Sequence, residues 1–193
     1  SYFMYEQLYA GMSGFGSIGQ GFICLGIPTR IGAFGLGLAD FKAATLLEER
    51  AASASFATLL HGNLAAGVTA KLLSHNYLTG SDPSGAQDPV FGRGTARNAA
   101  ALDMGLALRA AGSWQIGFAV RNINRPDVGL ASSDRVPREL QGSAAYDAKR
   151  LGLRATADVA YRDAGYGTLQ DKLTPSLGIE KRLADERVQL RLG

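Results

Sequence analysis

The residues of this chain able to do chemistry are few, and their spacing decides what they can be. His61 and His75 stand far apart and Cys24 is alone, so neither a metal-ligand pair nor an internal disulfide is written into the sequence. A nucleophilic triad assembled from Ser74, His75 and Asp82 fails on geometry, because neighbours on a strand point to opposite faces. Asp82 and Asp88 sit among Gly80, Gly85, Gly92 and Gly94, but without the alternating acid ligands of a calcium loop. The strings Gly11-x-x-Gly14-x-Gly16 and Gly92-x-Gly94 are followed by no helical pattern, so they read as loops and not as phosphate cradles. His61 falls at a tight turn. The expectation is a chain with no catalytic residues, no metal and no cofactor, hence not an enzyme.

The elements that would position any site are strands. In Trp114-Gln115-Ile116-Gly117-Phe118-Ala119-Val120-Arg121 the large apolar residues alternate with small or polar ones. Leu102, Met104, Leu106 and Leu108 alternate in the same way with Asp103, Gly105, Ala107 and Arg109. Leu151, Leu153, Val159 and Tyr161 repeat the pattern against Gly152, Arg154, Thr156 and Asp158. Period two places the two sets on opposite faces of a sheet. Further strands are predicted over 2–10, 18–27, 31–41, 49–59, 63–78, 137–147, 171–183 and 187–193, about eleven in all; the alternation is blurred in the first two. A helix competes with a loop and strand over Ala43–Ala57, a run rich in Ala, Leu and Glu. Tight links are read at 28–30, 61–63, 111–112, 147–150 and 184–186, and longer ones at 42–48, 79–97, 124–136 and 162–170. Short and long links alternate, as in an up-and-down meander with turns at one rim and loops at the other.

Composition narrows the class. Glycine supplies 25 of 193 residues, where average usage is about 7%; strands packed closely can use it and helices cannot. No run approaches the ~18 apolar residues of a spanning helix. The net charge is +3, with Lys and Arg scattered singly, so no nucleic-acid partner is expected. The small-residue face, the short and long links, and aromatics near strand ends (Trp114, Tyr146, Tyr161) together predict an all-β, up-and-down antiparallel transmembrane barrel in a bacterial outer membrane, in contact with lipid. A soluble lipocalin-like barrel is the competing reading. The opening Ser1-Tyr2-Phe3-Met4-Tyr5 already reads as a strand, and bacterial barrels close with an even strand number. Residues 1–193 are therefore expected to be part of one barrel domain, truncated at one or both ends.

Two residue sets are candidates for function. Lys71, Asp103, Arg109, Arg121, Arg154, Asp158, Glu180 and Arg182 fall on the small-residue face, so they are expected in the lumen, either as an ion-pair ladder or as a ligand-contacting track. Val90, Phe91, Val128 and Leu130 fall in the long links, as exposed apolar residues able to dock another chain.

Several segments in order carry a family resemblance: Tyr5-Glu6-Gln7-Leu8-Tyr9, Gly67-Val68-Thr69-Ala70-Lys71-Leu72-Leu73-Ser74-His75, Ala101-Leu102-Asp103-Met104-Gly105-Leu106, Trp114 to Asn122 followed by Arg125-Pro126-Asp127, Val136-Pro137-Arg138-Glu139-Leu140, and Ala157-Asp158-Val159. The series resembles the PorV-type barrels of the FadL superfamily of outer-membrane proteins, over residues 60–193 above all. The resemblance implies a barrel of about fourteen strands. It also implies a partner or cargo-holding component of a protein secretion assembly, in contact with other outer-membrane or secretion-system proteins and exported cargo. A FadL-like passive transporter of hydrophobic molecules and a purely structural barrel are the alternatives; no N-terminal plug segment is found.

Overall fold

A computed structural model describes residues 2–8, 18–43, 46–78, 89–92, 94–110, 112–165, 168–183 and 188–193. The chain is all-β. Its strands are β1 (Tyr2–Leu8), β2 (Ile18–Pro28), β3 (Ala33–Ala43), β4 (Leu47–His61), β5 (Leu64–Tyr77), β6 (Ala96–Arg109), β7 (Trp114–Arg121), β8 (Arg138–Ala148), β9 (Leu153–Asp163), β10 (Leu173–Leu183) and β11 (Val188–Leu192). They form one sheet in strict sequence order, β1 to β11, and the registers resolved are antiparallel throughout. Among the described residues no pairing joins β1 to β11, so the sheet is not closed.

Of residues 43–57, where a helix competes with a loop and strand in the sequence, 43 and 47–57 are strand. Glycine lies opposite serine across β3 and β4, at Gly35–Ser55 and Gly37–Ser53, and Phe34 meets Phe56 at 4.9 Å between ring centroids. These contacts fix a register in which Asp40 faces Arg50 and Lys42 faces Glu48, both paired. The charge pairs carry the strands further than the alternation suggested, and the link between β3 and β4 shrinks to 44–46. The expected long link at 42–48 is therefore absent, which breaks the alternation of short and long links there.

Elsewhere the turns follow local chemistry. Gly62 takes φ 48° in the two-residue link to β5, where a positive φ at the first central position matches the twist of the flanking strands. A 3-10 turn at Lys149–Leu151 stops at Gly152, which is left-handed at φ 57°. Helix among the described residues is limited to such turns and to the four residues Leu169–Lys172.

The chain divides into two compact units. The first comprises Ser1–Phe56, Thr69–Leu102 and Asn124–Val136; the second comprises Ala57–Val68, Asp103–Ile123 and Pro137–Gly193.

Candidate functional site

Burial is inverted relative to a soluble sheet. Along β7, Trp114, Ile116 and Phe118 are exposed while Gln115, Gly117 and Ala119 are half-buried. The same holds for Leu36 and Leu38 against Gly35 and Gly37, and for Val68 and Leu72 against Thr69 and Lys71. Among the described hydrophobic residues only Ala101 and Val128 are buried. The large apolar side chains therefore share a bare face, and the opposite face is the enclosed one.

In the second unit the register shows how each face is built. Leu106, Phe118, Gly142 and Val159 align across β6 to β9 on the apolar face, and Gly117, Ser143 and Asp158 align on the other. The small-residue face is closed by glycine set against hydroxyl. A Cβ on Gly117 would meet Ser143 Oγ at 2.5 Å, and one on Gly178 would meet Thr156 Oγ1 at 2.7 Å; Thr156 Oγ1 also donates to the Gly178 carbonyl at 3.3 Å.

Charge on the small-residue face is arranged in pairs. Near the tight turns Asp147 forms ion pairs with Arg154 at 4.0 Å and Arg182 at 3.7 Å, Arg182 Nε donates to Glu180 at 3.0 Å, and Arg154 Nη2 donates to Gln115 at 3.3 Å. Toward the long links Glu139 accepts from Arg121 at 3.3 Å and forms an ion pair with Arg162 at 3.5 Å. Asp103 Oδ1 takes the Asn122 amide at 2.9 Å. The structure thus puts Asp103, Arg109, Arg121, Arg154, Asp158, Glu180 and Arg182 on this face of the second unit, and Lys71 on the corresponding face of the first.

The apolar face has charged residues of its own at its two ends. At the tight-turn end Lys181 lies level with Leu153 and donates to the Leu151 carbonyl. Arg138 pairs with Asp163 one level beyond Leu140 and Tyr161, at 3.4 Å. In the first unit the quartet Asp40, Lys42, Glu48 and Arg50 lies one level beyond Leu38, with contacts of 2.6–3.0 Å. Both sets lie at the ends of strands that meet the 44–46 and longer links. At the tight-turn end Trp114 and Tyr146 lie directly opposite and meet in a tilted ring contact with centroids 4.9 Å apart.

The link 122–137 is a folded element, which the sequence did not reveal. Asn124 donates its amide to the Ala100 carbonyl at 2.7 Å and accepts from Leu102 N–H at 3.1 Å, standing in for a strand partner where β7 has ended. Asp127 Oδ1 accepts from Gly129 and Asp134 N–H at 3.0 and 2.9 Å. Hydrogen bonds from the Ser133 side chain and then from these two amides pull the Asp127 carboxyl down to about 2. Val128 is buried within this element at 4% exposure, so the expectation that it is exposed for docking is corrected: it anchors the loop. Leu130, Val90 and Phe91 do come together in the first unit, where with Tyr77 they line a groove of about 220 Å³, Phe91 stacking on Tyr77 at 6.1 Å.

His75 lies opposite Glu49, with Nδ1 at 3.1 Å from the carboxylate. Asp82, Asp88 and the Gly11–Gly16 string fall outside the described residues, and among those described no group of metal-ligating side chains occurs. No protein-family model, curated protein or solved structure matches the chain. The likeness to PorV-type barrels rests on the sequence segments alone.

Proposed function

We propose that the chain is a non-enzymatic membrane β-barrel component, with its apolar face in the hydrocarbon of a bacterial outer membrane and its small-residue face toward the lumen. One observation carries the reading: a bare apolar face bounded by an aromatic pair at the turn end and by paired charges at the opposite end. The strips Leu140–Ala148 and Leu153–Tyr161 run for about nine residues, within the ~9–11 that a tilted strand needs to cross a bilayer. An unpaired strand edge in lipid costs several kcal/mol per backbone group. On this reading further strands must therefore cover β1 and β11. Bromine-labelled lipids test the idea through Trp114, the one tryptophan of the chain. Strong quenching in reconstituted vesicles is expected, and none would refute the proposal.

The groove at Tyr77, Val90, Phe91 and Leu130 favours a partner or cargo-holding role in protein secretion over passive transport. It sets apolar side chains at the ends of the strands, where an exported chain or another outer-membrane protein has access. The double variant Phe91→Ser, Leu130→Ser should assemble in the membrane yet lose cargo retention in cells; unchanged retention would remove this role.

A further inference from the structure

The small-residue face changes character in the first unit. Across β1, β2 and β3 the register aligns Met4, Phe22 and Ala39, and the contacts that set β3 against β4 and β4 against β5 extend the row to Ala51 and Leu73. The next row toward the long links holds Glu6, Gln20, Phe41, Glu49 and His75. Two alanines in the middle of the first row leave a gap between Phe22 and Leu73, roofed on one side by Phe41. The result is a depression of about 260 Å³. Met4 and Phe22 remain 40% and 36% exposed in it, on a face made elsewhere of Gly, Ser, Thr and paired charges.

Its polar end offers acceptors. Gln20 Nε2 donates to Glu6 at 2.7 Å, which turns the Gln20 carbonyl oxygen away from that bond. His75 Nδ1 lies against Glu49, and in the neutral imidazole that leaves Nε2 as a lone-pair site. The carboxylate of Glu49 adds negative charge. Asp40 and Arg50 also line the depression but pair with each other at 2.9 Å, so Glu49 leaves the lining net negative. A carboxylate ligand meets acceptors and a like charge there, whereas a head that donates hydrogen bonds meets partners.

We propose that this pocket holds the chain of a small single-chain amphiphile whose head donates hydrogen bonds, an aliphatic amine before an alcohol and never a carboxylate. At the ~30 Å³ that a water-sized group occupies, the depression takes about eight or nine methylene-sized groups. The inference uses only the small-residue face, so it stands apart from the medium that the opposite face meets.

The test uses the full chain in lipid nanodiscs and an octylamine bearing a diazirine at the chain end. Photolysis should label peptides containing Met4, Phe22 or Leu73, and unlabelled octylamine should abolish that labelling. Labelling of Leu36 and Leu38, on the lipid-facing side, should not saturate. Octanoate should compete at least about tenfold less well than octylamine, a preference that Glu49→Gln, which keeps the side-chain shape, should reduce to near parity. Ala51→Leu fills the gap and should remove the saturable labelling. Saturable labelling that survives Ala51→Leu, competition by octanoate equal to that by octylamine, or no saturable labelling at all would each overturn the proposal.

Discussion

Replacing Phe118 by arginine puts the reading of the apolar face at most risk. Phe118 is 49% exposed, lies between Leu106 and Gly142 on that face, and falls two levels from Trp114, about 13 Å along the strand at ~3.3 Å per residue. The paired charges begin about as far away in the other direction, so the side chain sits near the middle of the band. An arginine at the bilayer midplane of a barrel costs about 2–4 kcal/mol, or about 30- to 1,000-fold in the folding equilibrium. Leu38 supplies the internal comparison. It is 58% exposed and on the same kind of face, but one level from Asp40, where the depth-dependent cost falls to about 0–1 kcal/mol. Urea titration of both variants into phospholipid vesicles, followed by Trp114 emission, gives the two free energies side by side. Phe118→Arg should be the more damaging by at least about 1 kcal/mol. If the two variants cost the same, the band has no depth gradient and the face does not lie in hydrocarbon.

Three further outcomes follow from the small-residue face and the loop. Gly117→Ala sets a Cβ against Ser143 Oγ at 2.5 Å, which turns that hydroxyl aside, and should cost up to about 1 kcal/mol, the low end for an overpacked contact. In a Ser143→Gly background most of that cost should vanish, and additive effects in the double-mutant cycle would count against the contact. Asp147→Asn removes the carboxylate facing Arg154 and Arg182 and should cost about 1 kcal/mol, less in 1 M salt; a cost indifferent to salt would mean that charge is not the cause. The Asp127 carboxyl titrates at about 2 in the folded loop against 3.8 for the free group. A depressed value means that the stabilisation is complete above the unfolded pKa and disappears as pH falls from about 4 to about 2. Amide-exchange protection at Gly129 and Asp134 should follow that course, and Asp127→Asn should flatten it; protection constant to pH 2 would refute the assignment.

The strands were legible because period two survives wherever one face is large and the other small, as in β6, β7 and β9. Their ends were less so. Lys42 read as the start of a loop, since charge on an apolar strip signals its end, and only its cross-strand partner Glu48 keeps the chain extended there. Val128 read as an exposed loop residue because nothing in the sequence says that Asp127 gathers two backbone amides and folds the loop over it. Such a hub is a property of turns closing on one another, and residue type alone does not encode it.

The blurring of β1 and β2 has a different cause. On β2 the apolar face carries Ile23, Leu25 and Ile27, while Phe22 belongs to the other face opposite Met4. Both faces are therefore apolar at that level, and a period-two signal fades when its two phases match. Where the small-residue face is only packed closely, Gly and Ala suffice, as in β3 and β7. The loss of alternation is thus the sequence trace of the depression beneath Phe41, visible only once five strands are set in register. Local rules fail most informatively where the local pattern serves something other than the fold, and in this chain they fail at Met4 and Phe22.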